Sequence, residues 1–128
     1  MHSFPKLSVI QLSGKYAIAR LSPDATLPPW LPKDSFFSVS KSDEEISILC
    51  LEEKIPQTIK KENDWTGFKI KGPLPFHLTG VLSTLINPLA EANIPVFVIS
   101  TFDTDYIFIK AKWIKKTKII WQKIVEIQ

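Results

Sequence analysis

The chain is 128 residues long, with 45% hydrophobic and 23% charged residues, which excludes disorder, since disorder needs low hydrophobicity and high net charge. Four glycines, ten prolines and one cysteine exclude collagen-like repeats, Gly-rich linkers, an internal disulfide and a Cys-x-x-Cys metal knuckle. At 14.6 kDa and a net charge of +3, the chain is one domain or two small repeats of one, able to fold without a metal or disulfide staple.

Leu7–Leu12 and Tyr16–Leu21 are β-rich runs around Ser13-Gly14 and read as a hairpin. Pro23, Pro28, Pro29 and Pro32 surround Trp30, so residues 23–33 form a loop with at most one helical turn. Phe36–Ser40 and Ile46–Leu51 make a second hairpin across the acidic turn Asp43-Glu44-Glu45. Cys50, in the second of those runs, reads as a buried small hydrophobe. Ile55–Glu62 is short and polar, enough for a turn or two of helix, and Asn63-Asp64 marks a boundary.

The second half is more regular. Thr66–Lys71 alternates Phe68 and Ile70 against Lys69 and Lys71, a half-buried strand closed by Gly72-Pro73. Leu78, Val81, Leu82, Leu85, Ile86, Leu89 and Ala92 recur at helical spacing and define one apolar face, with Pro88 inside it as a kink. Val96–Thr101 is continuously apolar and predicts a central strand with both faces covered. Phe102-Asp103-Thr104-Asp105 supplies turn residues, Tyr106–Ala111 a further strand, and residues 112–125 a closing helix. The order β-α-β-β-α, after a shortened, proline-broken version of similar order, predicts an α+β ferredoxin-like fold divided into residues 1–62 and 63–128.

The chemistry on offer is sparse. His77 is the one plausible imidazole, and no Ser or Cys nucleophile is placed near it. Asp103 and Asp105 sit two apart in a turn, where Asp usually bonds local backbone rather than a cation or a proton in flight. There is no Walker or GxGxxG loop. An enzyme is therefore not expected, and no cofactor or metal either. Phe76-His77-Leu78-Thr79-Gly80 stands apart: it opens the amphipathic helix, whose free N–H groups and dipole favour an anion such as a carboxylate. Gly80 would let a ligand approach them, although capping by Thr79 or His77 serves equally well as an explanation.

Lys110, Lys112, Lys115, Lys116, Lys118 and Lys123 crowd the C-terminal segment beside Trp113 and Trp121. A nucleic-acid face is one reading. An amphipathic helix with solvated lysines and buried tryptophans is the favoured one, because Arg20 is the only arginine. Met1–Lys6 lacks the apolar core of a secretory signal and no apolar run reaches membrane-span length. The expectation is a cytoplasmic protein with no membrane partner.

Gly72-Pro73-Leu74, Phe76-x-Leu78-Thr79-Gly80, Pro88-Leu89-Ala90-Glu91-Ala92-x-Ile94-Pro95 and Ile99-Ser100-Thr101-Phe102-x-Thr104-Asp105-Tyr106 together resemble the ACT-domain family that includes the CASTOR amino-acid sensors. Phe36–Ser40, Asp43-Glu44 and Glu62-x-x-Trp65 extend the likeness upstream, so that it covers about residues 34–111. The resemblance implies two tandem ACT-like subdomains, the first degenerate, and a non-catalytic regulatory role. It implies a small amino acid as effector, bound at an ACT–ACT interface of a homodimer. A ligand-free interaction scaffold and a basic nucleic-acid module are the alternatives. By position, the implied ligand contacts are Phe76, His77, Leu78, Thr79, Gly80 and Val81, with Thr101, Phe102 and Asp105 opposite. Leu78 stands where arginine-sensing relatives are acidic, which implies an effector other than arginine.

Overall fold

The computed structural model describes residues 7–71 and 80–128. The elements are β1 (Ser8–Gln11), β2 (Tyr16–Leu21), β3 (Ser38–Lys41), β4 (Ile46–Leu51), β5 (Lys61–Ile70), α1 (Val81–Glu91), β6 (Val96–Ser100), β7 (Asp105–Lys110), α2 (Ile114–Trp121) and β8 (Glu126–Ile127). Single 3₁₀ turns lie at Glu52–Lys54 and Ala111–Trp113. The described residues fall into two compact units. Gly14–Trp65 form the first, while Thr66–Gln128 and the described part of the segment before Gly14 form the second.

The first unit is an antiparallel sheet in the order β3–β4–β2–β5. Its β3–β4 hairpin forms where the sequence places it, with Ser38 opposite Leu49 and Lys41 opposite Ile46. Ser42 closes the turn: its N–H donates to the Glu45 carbonyl at 2.9 Å, and its Oγ accepts from the Glu44 and Glu45 N–H groups. Ala17, Ala19, Ile46, Ile48, Cys50 and Ile55 form the buried core, with Trp30, Leu31 and Ile59 packed against it. The proline-rich loop thus does the covering that a helix does elsewhere. Ile55–Glu62 holds no helix. Pro56 and the few residues before β5 do not repay helix nucleation, and the chain instead turns where the Ile59 N–H meets the Pro56 carbonyl.

Asn63-Asp64 lies inside β5, close to where the two units meet in the sequence at Trp65 and Thr66. Asp64 takes the left-handed conformation (φ 69°) that Asp and Asn tolerate. The register of β2 against β5 shifts at the same level, between Tyr16 and Ile18. The Asp64 N–H, turned out of the ladder, donates to Glu52 Oε1 at 2.8 Å.

In the second unit the strands run β8–β1–β5–β7–β6. The chain order β5-α1-β6-β7-α2-β8 is the βαββαβ arrangement of a ferredoxin-like α+β unit. β1 is antiparallel to β5 and parallel to β8. The expected β1–β2 hairpin does not form, because Ser13-Gly14 cannot make its turn. A two-residue hairpin needs positive φ at its first central position, and only Gly14 (φ 83°), the second, has it. β1 and β2 each pair with β5 instead.

β6 is an edge strand among the described pairings, bonded to β7 from Val96↔Ile109 to Ser100↔Asp105. Its apolar run reflects two covered faces rather than two paired edges. Val96 and Val98 pack on the core, while Phe97 stacks on Phe108 (centroids 5.0 Å apart). The closing helix is shorter than residues 112–125. β1 draws the end of the chain into the sheet, through the Glu126 N–H to the Leu7 carbonyl and the Gln128 N–H to the Val9 carbonyl.

α1 buries Val81, Leu85 and Leu89. It ends in a left-handed Asn93 (φ 59°), with the Ile94 N–H reaching back to the Leu89 carbonyl at 2.9 Å, a Schellman arrangement. Trp121 of α2 is fully buried among these residues. Its Nε1–H donates to the Leu85 carbonyl at 2.9 Å, and its ring meets Phe68 edge-on at 5.1 Å. One side chain therefore joins both helices to β5. No helix among the described residues is long and apolar enough to cross a membrane. Trp121→Ala should cost about 3–5 kcal/mol of unfolding free energy in urea denaturation, and Trp121→Phe less, because it keeps most of the packing.

Candidate functional site

α1 begins at Val81, with Gly80 as N-cap in the left-handed region (φ 83°). A side chain there would cost about 1–2 kcal/mol, so glycine is the residue the turn requires. The Gly80 carbonyl is fully used: it accepts from the Thr84 N–H (3.0 Å), Thr84 Oγ1 (2.7 Å) and Ser83 Oγ (3.1 Å). These bonds start the helix without touching its free N–H groups. Among the described residues no side chain caps that end, and its first turn carries no acid. Phe76, His77, Leu78 and Thr79, expected in the ligand site, lie outside the described residues.

Thr101, Phe102 and Asp105 come together on the turn between β6 and β7. The Thr101 N–H and Oγ1–H both donate to the Thr104 carbonyl (2.8 and 3.0 Å), and Thr101 Oγ1 accepts from the Thr104 N–H. Thr101 thus closes the turn. Asp105 opens β7, where its Oδ1 accepts a short hydrogen bond from Ser100 Oγ. Its Oδ2 has no partner among the described residues. Phe102 projects at the tip, 82% exposed.

Two residues outside the expected set hold this turn. Ser100 orients the Asp105 carboxylate, and Thr104, itself buried, donates its hydroxyl to the Ile70 carbonyl at 2.7 Å. That bond sets the β6–β7 turn beside the end of β5, from which the chain leads through residues 72–79 to Gly80. The sequence signal for both lies in Ser100-Thr101-Phe102-x-Thr104-Asp105, where Thr104 reads only as a turn former. Of the expected set, Gly80 and Val81 thus stand at the start of α1, and Thr101, Phe102 and Asp105 on the β6–β7 turn.

Elsewhere the titratable chemistry is muted. Among the described residues no three His, Cys, Asp or Glu side chains converge as metal ligands. Cys50 is buried opposite Ala17 in the β2–β4 pair, and burial pushes its thiol from 9.0 up to about 11. A nucleophilic or redox cysteine needs the opposite shift.

Comparison with known proteins agrees with this architecture. An ACT-domain family model matches residues 60–118, and a model of an N-terminal domain matches residues 14–58. A crystal structure from Agobacterium tumefaciens is 34% identical, with a TM-score of 0.90 over 98% of this chain and 94% of that one. An aspartate kinase from Clostridium acetobutylicum, described as an allosteric enzyme, shares the fold alone: TM-score 0.64 at 10% identity, over 91% of this chain and 34% of that one. The human protein CASTOR3P is 28% identical over 58% of this chain and 53% of its own length. This chain spans about half of that curated relative. It belongs to the ACT-domain family, as a CASTOR-like member, and the ACT domain is a regulatory domain.

Thr104→Val should remove the bond to the Ile70 carbonyl at a cost of about 1 kcal/mol in chemical denaturation. Faster amide exchange should accompany it, confined to the β6–β7 turn. For Cys50, the folded state favours the protonated thiol, so its contribution to stability is complete below about pH 9 and lost as pH rises toward 11. Alkylation by iodoacetamide at pH 8 should be at least tenfold slower in the native protein than in guanidinium chloride.

Proposed function

We propose that this chain is a non-catalytic regulatory module that binds a small α-amino acid at an ACT–ACT interface between two protomers. The observation that carries the reading is the start of α1 at a left-handed Gly80, where no described side chain caps the helix, with the Asp105-bearing turn anchored to the end of β5. The ligand carboxylate meets the N–H groups at the start of α1, where unpaired donors and the helix dipole act together. Its ammonium faces Asp105 Oδ2 or the carbonyls of the turn. Ser100 serves by fixing the carboxylate that receives it. Phe76, His77, Leu78 and Thr79 complete the expected contacts.

The membership of the family supports a regulatory role, and the aspartate kinase likeness supports the fold that carries it. The expected effector is not arginine. A buried guanidinium without a paired acceptor costs several kcal/mol. Leu78 offers no acceptor, and Asp105 cannot serve both ends of one ligand.

The test is a thermal-shift screen of the twenty amino acids on the intact chain. At about a hundred times its dissociation constant, the effector should stabilise the fold by about 2.7 kcal/mol, a shift of several degrees. Asp105→Asn should weaken binding about tenfold or more, while Glu53→Gln should leave it unchanged. Micromolar binding of arginine would refute the specificity argument. If no amino acid produced a shift, the interaction-scaffold reading would replace this one.

A further inference from the structure

We propose that the lysine face of α2 is a self-association surface, which docks on the acidic hairpin end of the first unit of a second copy of this chain. The pairing rests on the two-protomer assembly proposed above, not on its ligand. Lys115, Lys116 and Ile119 share one face of α2 opposite the buried Thr117 and Trp121, with Lys112 in the 3₁₀ turn before the helix and Lys123 just past its end. All four lysines are exposed, and Ile119, in their midst, is 49% exposed. None of the four is in an ion pair with a described carboxylate. Lys112 and Lys116 lie instead over the Trp113 ring, 5.4 and 5.9 Å from its centroid. That ring, already flanked by two ammonium groups, is a poor platform for stacking a nucleic-acid base.

The complementary charge is on the same chain. Residues 14–65 hold nine Asp or Glu against seven Lys or Arg, while the remainder holds four against nine. Segment 110–123 has six lysines and no acid. At the end of the β3–β4 hairpin Asp43 and Glu44 are exposed, whereas Glu45 is held by Arg20 at 3.8 Å. Lys41 Nζ donates to the Pro23 carbonyl at 2.6 Å, which ties the start of the proline-rich loop, with the exposed Asp24 next in sequence, to β3. The lysine face therefore offers charge around an exposed apolar side chain, the anatomy of a protein interface rather than of a phosphate-binding strip. In a two-fold dimer the contact would be made twice, helix face to hairpin end and the reverse.

Sedimentation velocity on the intact chain at tens of micromolar tests this. A dimer is expected at roughly 50 mM salt, with the dissociation constant rising at least tenfold at roughly 500 mM, as screening of an exposed interface requires. Lys115→Glu with Lys116→Glu should give a folded monomer, and so should Asp43→Lys with Glu44→Lys. Mixing the two variants should restore a dimer, because the reversed charges again match. A wild-type monomer, a charge-reversed variant that dimerises as the wild type does, or a mixture that stays monomeric would overturn the proposal. A wild-type monomer that binds a 20-nucleotide single strand through Lys115 and Lys116 would reassign the face to nucleic acid. A dimer with this charge pattern but no amino-acid shift would sink the ligand reading and leave this one standing.

Discussion

β5 offers backbone donors and acceptors along both edges, and β2, β1 and β7 all take them up. Its ten residues are the longest strand of the chain, and every sheet pairing in either unit leads back to it. Two of those residues depart from the side chain or backbone of a regular strand. Asp64 leaves the ladder through a left-handed kink that Glu52 satisfies. Gly67 has no room for a side chain: a Cβ would lie 2.6 Å from the Phe108 ring and 2.8 Å from the Leu12 side chain. Those rings and methyls can close on the strand only because residue 67 is a glycine.

The two units solve the same burial problem with different means. Both present one apolar face of a sheet, antiparallel in the first unit and mixed in the second. In the second unit α1 and α2 cover it, locked by the Trp121 bond to Leu85 and the ring contact with Phe68. In the first, Trp30, Leu31 and Ile59 cover a smaller core from the loops. Trp30 brings the area of an aromatic ring without the length of a helix, which is what a segment with four prolines can supply. This is the physical content of calling the first subdomain degenerate.

The candidate site follows from where the second unit places its turns. β5 ends at Ile70 and α1 starts at Val81, where the first N–H groups of a helix have no partner within the helix itself. Thr104 brings the β6–β7 turn to the end of β5 by a single buried hydrogen bond. On the proposed reading, the chemistry there is recognition of opposite partial charges, with donors from a helix start and a carboxylate oriented by Ser100. Cys50, buried and held protonated, stays out of it.

Local periodicity alone determined the element types. The 3.6-residue spacing of Val81, Leu85 and Leu89, the alternation around Phe68 and Ile70, and the proline density of residues 23–33 each express a preference of the chain for itself. The motif that begins at Ser100 likewise identified the turn that carries Asp105. What sequence could not decide was which strand meets which. Ser13-Gly14 reads as a hairpin until the backbone angles show that only the second residue is left-handed, and at the Asn63-Asp64 boundary the sequence does not reveal that β5 runs on through it. Pairing depends on partners 50 or more residues away, such as Val9 and Ile70. Those contacts are selected by the burial of whole faces and the satisfaction of every ladder bond, which no short window of residues contains.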